Sequence, residues 1–240
     1  MMPRSLKIIF DTLADDDTLA VGWGLSCLID DSVLFDTGQR EDYLARNLDL
    51  LKVNASRIED VVISHDHWDH TGGLAEILAR RPNLRVHLCR DVSEELTGRI
   101  SSLKGQCRAH DHFAEIVPGM YVTGSIAGQY KEKEIVEQAL VVETSPGLVV
   151  LTGCAHPGIV DILKKIKEHF QGVNIHAVLG GFHLLHDDHE SLKAVIREFR
   201  RLGVNKVGPT HCSGSTAMSL FSNEYKGDYY HLKVGETIVF

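Results

Sequence analysis

The stretch Val61-Val62-Ile63-Ser64-His65-Asp66-His67-Trp68-Asp69-His70-Thr71-Gly72-Gly73-Leu74 decides how this chain is read. Three β-branched residues in a row mark a short strand buried on both faces. Four side chains able to ligate a metal (His65, His67, Asp69 and His70) then fall within six positions. Extended backbone points alternate side chains the same way, so His65, His67 and Asp69 can share one face. A turn at Asp69-His70 would swing the His70 ring toward the same pocket from another direction. Imidazole and carboxylate are the usual ligands of zinc, manganese or iron at neutral pH. The plainer alternative is an exposed, histidine-rich turn. Chance seldom sets four donors in this order between a buried strand and a Gly-Gly helix start, so the metal reading is preferred.

Working outward, the chain reads as strand-then-helix units with glycine-rich joints. Leu6–Asp11, Leu25–Asp30 and Val33–Phe35 carry strand patterns, the last two joined at Asp30-Asp31. Glu41–Leu51 sets Tyr43, Leu44, Leu48 and Leu51 near one helical face, Leu74–Arg80 reads as helix, and Leu84–Leu88 as strand. Glu115–Gly124, Ala139–Thr144 and Leu148–Thr152 read as strands, with Ser145-Pro146-Gly147 turning between the last two. Ile159–Phe170 is helix-periodic, Ile175–Leu179 a buried strand, and Glu190–Leu202 an amphipathic helix stopped by Gly203. A short strand at Val207, a short helix over Thr216–Phe221 and a closing strand over Glu236–Phe240 complete the chain. No linker or repeat interrupts it, so a single domain over residues 1–240 is expected. The pattern is α+β, with a two-sheet core covered by helices rather than one parallel sheet.

Composition narrows the function. The 240 residues carry 33 acidic against 25 basic side chains, a net charge of −8, and no basic stretch interleaved with aromatics, which argues against a nucleic-acid partner. No apolar run reaches the ~18–20 residues needed to span a bilayer, and Met1-Met2-Pro3-Arg4-Ser5 lacks the apolar core of a leader. A soluble cytoplasmic protein acting on a small molecule is expected. The five cysteines (Cys27, Cys89, Cys107, Cys154, Cys212) form no C-x-x-C pair, so neither a zinc ribbon nor a dithiol redox motif is encoded.

His65, His67, Asp69 and His70 match the H-x-H-x-D-H signature, and Leu34-Phe35-Asp36-Thr37-Gly38 the L-F-D-T-G turn, by which the chain resembles the metallo-β-lactamase superfamily. The resemblance implies a four-layer αββα sandwich with a pair of divalent ions at one edge. It gives His65 and His67 to the first ion and Asp69 and His70 to the second. A water bridging the ions would be the nucleophile, its pKa lowered by both cations. Zinc is the expected metal, with manganese, iron or magnesium as alternatives. Two more ligands are sought after later strands: His156 in Thr152-Gly153-Cys154-Ala155-His156 for the first ion, and His211 in Pro209-Thr210-His211-Cys212 for the second. Many relatives have aspartate where Cys154 stands. Its thiolate would be a softer, zinc-favouring ligand, whereas an uncoordinated thiol would leave the bridge to water.

Asp69 is also read as catalytic, orienting the water or receiving its proton. His183, in Gly180-Gly181-Phe182-His183-Leu184, is read either as a substrate contact and general acid or as a hydrogen-bonded strand cap. Cys212 reads as a small buried side chain, and His110, His112, His186 and His189 as surface. Gly24-Leu25-Ser26, Gln138-Ala139-Leu140-Val141, the Gly-Cys-Ala-His and Gly-Gly-Phe-His loops and Thr210-His211-Cys212-Ser213-Gly214 resemble one branch, that of the pterin–ribofuranosylaminobenzene 5′-phosphate synthases of methanopterin biosynthesis. Trp23 stands where a histidine is usual in that branch and reads as a core or rim aromatic; Lys131-Glu132-Lys133-Glu134 reads as a solvated run. The expected function is metal-dependent hydrolysis of a small polar or phosphorylated substrate. The alternatives are a pterin-condensing synthase, di-iron redox chemistry, and a non-catalytic metal-stabilised binding protein.

Overall fold

The computed structural model describes residues 3–240; Met1 and Met2, part of the stretch read above as lacking a leader, lie outside them. The strands in the first half are β1 (Ser5–Phe10), β2 (Ser26–Ile29), β3 (Val33–Phe35), β4 (Asp60–Val62), β5 (Arg85–Cys89) and β6 (Gln106–His110). Between them lie helices α1 (Glu41–Leu50), α2 (Trp68–Thr71), α3 (Leu74–Arg80) and α4 (Glu94–Ser102). There follow β7 (Ala114–Val117), β8 (Met120–Val122), β9 (Ile126–Tyr130), β10 (Lys133–Glu137), β11 (Leu140–Thr144) and β12 (Gly147–Thr152). The chain ends with α5 (Ile159–His169), β13 (Ile175–Gly181), α6 (His189–Arg201), β14 (Lys206–Thr210), α7 (Ser215–Tyr225) and β15 (Thr237–Val239).

Two mixed sheets result, in the orders β15-β1-β2-β3-β4-β5-β6 and β14-β13-β12-β11-β8-β7, with β9 and β10 a separate hairpin. The period-2 alternation of strand side chains explains why the sheets stack. Phe35 and Val62 face inward with Leu140, Val149, Leu151 and Leu179, whereas Leu34 and Val61 face outward onto Leu44, Leu48, Ile77 and Ile100. On the second sheet Val141, Val150 and Val178 likewise turn outward, onto Ile162, Ile166, Leu192, Phe199 and Phe221 of α5, α6 and α7. Three apolar layers between four structural layers is the αββα sandwich.

The structure departs from the sequence reading at several elements. Glu115–Gly124 is two strands, β7 and β8, turned at Pro118-Gly119, where Gly119 takes φ +75°. Helix α4, strand β6 and the β9–β10 hairpin have no counterpart in that reading. The Lys131-Glu132 pair is the hairpin's turn, with φ 48° and 64°, and Lys133-Glu134 open β10; all four are exposed, as the solvated reading expects. His110 is not simply surface: its Nε2 lies 2.9 Å from Nδ1 of His87, whose other nitrogen is 2.8 Å from the buried carboxylate of Asp60. His189, exposed as read, is the first residue of α6. Among the described residues no helix is long and apolar enough to cross a membrane.

The two sheets bring their parallel strands to the same edge. In the first sheet β3, β4, β5 and β6 run parallel, and in the second β12, β13 and β14 do. The loops leaving β3, β4, β12, β13 and β14 carry Asp36, Ser64–His70, Cys154–His156, His183 and His211. Asp11, at the end of β1, is sealed beneath this edge, its carboxylate accepting the hydroxyl of Thr210 at 2.8 and 2.7 Å. Burial pushes its carboxyl up to about 6 despite those hydrogen bonds. The unfolded chain therefore releases this proton at lower pH than the folded one, and stability falls as pH rises from about 4 to 6. Replacing Asp11 by asparagine should remove that descent, the variant gaining up to about 3 kcal/mol on wild type between pH 4 and pH 7. Urea denaturation of both proteins across that range is the check.

Candidate metal centre

His67 is in extended backbone, as the alternation requires, although the chain bends at His65-Asp66. The alternation does not continue to Asp69. His67 (φ −108°, ψ 148°) is the N-cap of the one-turn helix α2, and Asp69 and His70 are placed by that turn. The turn is pinned where Thr37 donates its N–H and its hydroxyl to the His70 carbonyl, at 2.8 and 2.9 Å. It separates two sets of donors. Ligand atoms of His65, His67 and His156 lie within 4.8 Å of one another, and so do those of Asp69, His70 and His211. All six side chains proposed from the sequence are thus brought to one edge. Cys154 stands between the sets, its Sγ 3.4 Å from Nε2 of both His70 and His211.

Two carboxylates that the sequence reading gave no role orient these donors. Glu137, at the end of β10 and 1% exposed, accepts the backbone N–H groups of Cys154, Ala155 and His156 at 2.8, 2.7 and 2.8 Å, and Nδ1 of His156 at 2.9 Å. Asp36 accepts the N–H and hydroxyl of Ser64, both at 2.7 Å, and Nδ1 of His70 at 2.7 Å. The Ser64 hydroxyl, donating to Asp36, can accept from Nδ1 of His65 at 2.9 Å. Each of these three rings therefore has Nδ1 committed and turns Nε2 inward, the arrangement by which an outer carboxylate or hydroxyl fixes a ligating tautomer. Asp36 was visible only as the D of the L-F-D-T-G turn. Glu137, one acidic residue at a strand end, gave no signal.

His211 is held otherwise. The N–H of Gly24 donates to its Nδ1 at 3.1 Å, so the neutral ring carries its proton on Nε2, which faces Asp69 Oδ2 at 3.3 Å. Gly24 reaches this position at φ +131°, and a Cβ there would lie 2.1 Å from the Asp69 carbonyl oxygen. Trp23 packs on the His211 ring with centroids 4.7 Å apart and is 42% exposed, a rim aromatic.

The electrostatics of the sets differ. Burial, reinforced by neighbouring histidines, holds His65 well below its ordinary value and His67 at about 4, so both rings are neutral lone-pair donors. Burial works against charge on His70, yet Asp36 and then Asp69 raise it above its usual range. Burial likewise opposes charge on Glu137 and Asp69; hydrogen bonds from His156 keep Glu137 at about 2, and those from His211 and His70 keep Asp69 far below the carboxylate range. Imidazoles beside ionised carboxylates in a nearly dry pocket form a donor set that fits divalent cations. Strained backbone accompanies it: Asp36, Ala155, His183 and His211 take φ of 55°, 65°, 55° and 51°, a region other residues than glycine seldom enter.

A cavity of about 680 Å³ opens over the donors, walled by Trp23, Trp68, Tyr130, His183 and Leu185, with Lys131 and Asp187 at its mouth. Its size suits a small-molecule ligand. Tyr130, from the unforeseen hairpin, packs edge-on against His67 and His156 with centroids 4.8 and 5.3 Å away. His183 enters the cavity wall with its ring centroid 4.6 Å from that of His156. His186 is exposed at the same rim and His112 projects into solvent.

A two-sheet sandwich with this motif at its edge defines a class, and the chain belongs to it: the sequence profile of the metallo-beta-lactamase superfamily matches residues 25–211. The superfamily consists mostly of metal-dependent hydrolases that bind divalent cations. Over 248 aligned positions, 87% of this chain and 84% of the relative, the chain is 30% identical to the 7,8-dihydropterin-6-methyl-4-(beta-D-ribofuranosyl)-aminobenzene-5'-phosphate synthase of Methanocaldococcus jannaschii. The crystal structure of Tm1679, a metal-dependent hydrolase of the beta-lactamase superfamily, matches 98% of both chains with a TM-score of 0.82 at 29% identity. The metallo-beta-lactamase fold protein YhfI from Bacillus subtilis shares the fold, with a TM-score of 0.73 at 14% identity.

Proposed function

We propose that the chain is a cytoplasmic metal-dependent hydrolase of small polar or phosphorylated molecules. One divalent ion would be held by His65, His67 and His156, and a second by Asp69, His70 and His211, with zinc the metal that suits imidazole donors beside a thiol. The observation that carries this is the convergence of both donor triads, with the rings of His65, His70 and His156 pre-set through Ser64, Asp36 and Glu137. Ions bound there would supply Lewis acidity and lower the pKa of a water.

The chain's own residues supply the rest. Asp69, held ionised beside His70 and His211, aligns a water by accepting its hydrogen bond. His183, part-exposed on the cavity wall, reaches a bound substrate and donates a proton to its leaving group. Trp23 and Trp68 exclude water and offer flat apolar faces, and Lys131 supplies a cation for an anionic group. All five cysteines are free, which suits a reducing compartment. The acidic balance fits a small-molecule partner better than a nucleic acid or a membrane.

A second reading, condensation on a pterin, is favoured by the relative's similarity along most of both chains and by the two tryptophans in the cavity wall, whose flat faces suit a planar ring. Assaying the zinc-loaded protein against phosphoesters, thioesters and lactones, and against the pterin and aminobenzene phosphate substrates named for that relative, separates the two. Turnover in neither panel, with a small molecule retained unchanged, would indicate a binding protein and overturn the enzyme reading.

The electrostatics also rank the ions. His65 and His67 are held neutral by burial, whereas the second ion must displace the proton that Asp36 and Asp69 stabilise on His70. Calorimetric titration of the metal-free protein should therefore show stepwise binding, the first equivalent at least about tenfold tighter, with His156→Ala abolishing the tight step.

A further inference from the structure

The paired-ion reading leaves out Cys212 and uses Cys154 only as a neighbour. The two Sγ atoms and one ring nitrogen of His183 lie within 4.8 Å of one another. We propose that Cys154, His183 and Cys212 form a third cation position, selective for a soft ion such as zinc or cadmium, on the cavity side of the two triads. Its occupancy does not depend on theirs.

The three donors come from the ends of β12, β13 and β14, which are adjacent and parallel in one sheet, so the position is built on rigid elements. Glycines allow the approach: a Cβ on Gly180 would sit 2.1 Å from the Thr152 carbonyl oxygen, and one on Gly181 would sit 2.2 Å from that of Gly153 and 2.7 Å from Cys212 Sγ. Both cysteines are free and only 4% exposed. Two packed core thiols would explain that burial, but they would not call for an imidazole. His183 is held beside them in a left-handed conformation, and its buried Nδ1 has no hydrogen-bond partner among the described residues. Among the described residues the Cys212 thiol makes one hydrogen bond to backbone, a long one of 3.6 Å to the Cys154 carbonyl.

Two thiolates and an imidazole make a Cys2His donor set that leaves a fourth position open, here toward the cavity. As each sulfur–metal bond forms, its thiol proton passes to solvent, with no change in oxidation state. Cys154, 3.4 Å from His70 and His211, can share its sulfur with the second ion. An ion here also occupies the His183 nitrogen that would otherwise serve the substrate, so excess soft metal should inhibit.

The test is a cadmium titration of the full chain, stripped of metal and fully reduced, followed by sulfur-to-cadmium charge-transfer absorption and by bound cadmium. Wild type should develop the band and bind about one ion more than Cys212→Ser, whose band falls to about half as two thiolate ligands become one. His67→Ala should lose an ion and keep the band, which separates this site from the first triad. The 113Cd resonance of wild type gives the same answer without a variant: one ion should show two sulfur ligands. Absence of the band, an unchanged band and stoichiometry in Cys212→Ser, no ion with two sulfurs, or recovery of the thiols as a disulfide that binds no cadmium would each overturn the proposal.

Discussion

Alanine at position 67 is expected to lower turnover by about three orders of magnitude or more while shifting folding stability by less than about 1 kcal/mol. His67 is the one half-buried side chain in its triad, and its ring touches mainly the other site groups: His65 at 2.9 Å, with Tyr130 and His156 packed edge-on. The structural work at this position is done by its backbone carbonyl, which accepts the N–H groups of His70 and Thr71 and so caps α2. Alanine keeps that carbonyl. Zinc content by mass spectrometry should fall by the tight equivalent, with the melting temperature of the metal-free protein unchanged. Full activity in a variant that has lost that ion would remove the first triad from the account.

Alanine at Glu137 should differ in destabilising the fold, by about 3–5 kcal/mol, as well as abolishing tight metal binding. Its carboxylate gathers three consecutive backbone N–H groups and the His156 ring in a place that water does not reach. Without it those donors are buried and unpaired, and Ala155, at φ 65°, loses what holds it in a strained conformation. Glu137→Gln keeps both side-chain positions but only one carbonyl oxygen, so a loss of about half that size is expected. Equilibrium urea unfolding of the metal-free proteins reads the difference. A variant as stable as wild type would show that the Cys154–His156 loop is fixed by other contacts.

What was legible in the sequence follows from how each residue is partnered. Strands such as Val61–Ile63 and Leu148–Thr152 are apolar because both faces are covered, and composition alone exposes them. β6 and the β9–β10 hairpin carry Arg108, Gln129, Lys133 and Glu134, because an edge strand and a hairpin outside the two sheets leave polar side chains in water. They carry no strand pattern for that reason, and Tyr130 and Glu137 were hidden with them. The donors His65, His67, Asp69 and His70 stood out because they are contiguous. Their supports did not, because Asp36 and Glu137 meet them only in three dimensions, across 34 residues to His70 and 19 to His156. The alternation that placed Asp69 on the face of His65 failed at Trp68, where the backbone turns into α2, yet the turn still delivers Asp69 to the same edge.

The central claim is that the two triads are ion sites. The most direct test is anomalous scattering from crystals of the zinc-saturated protein. The expected result is a pair of peaks, one among His65, His67 and His156 and one among Asp69, His70 and His211. Ordered solvent alone among those imidazoles, with zinc present in the crystal, would contradict it.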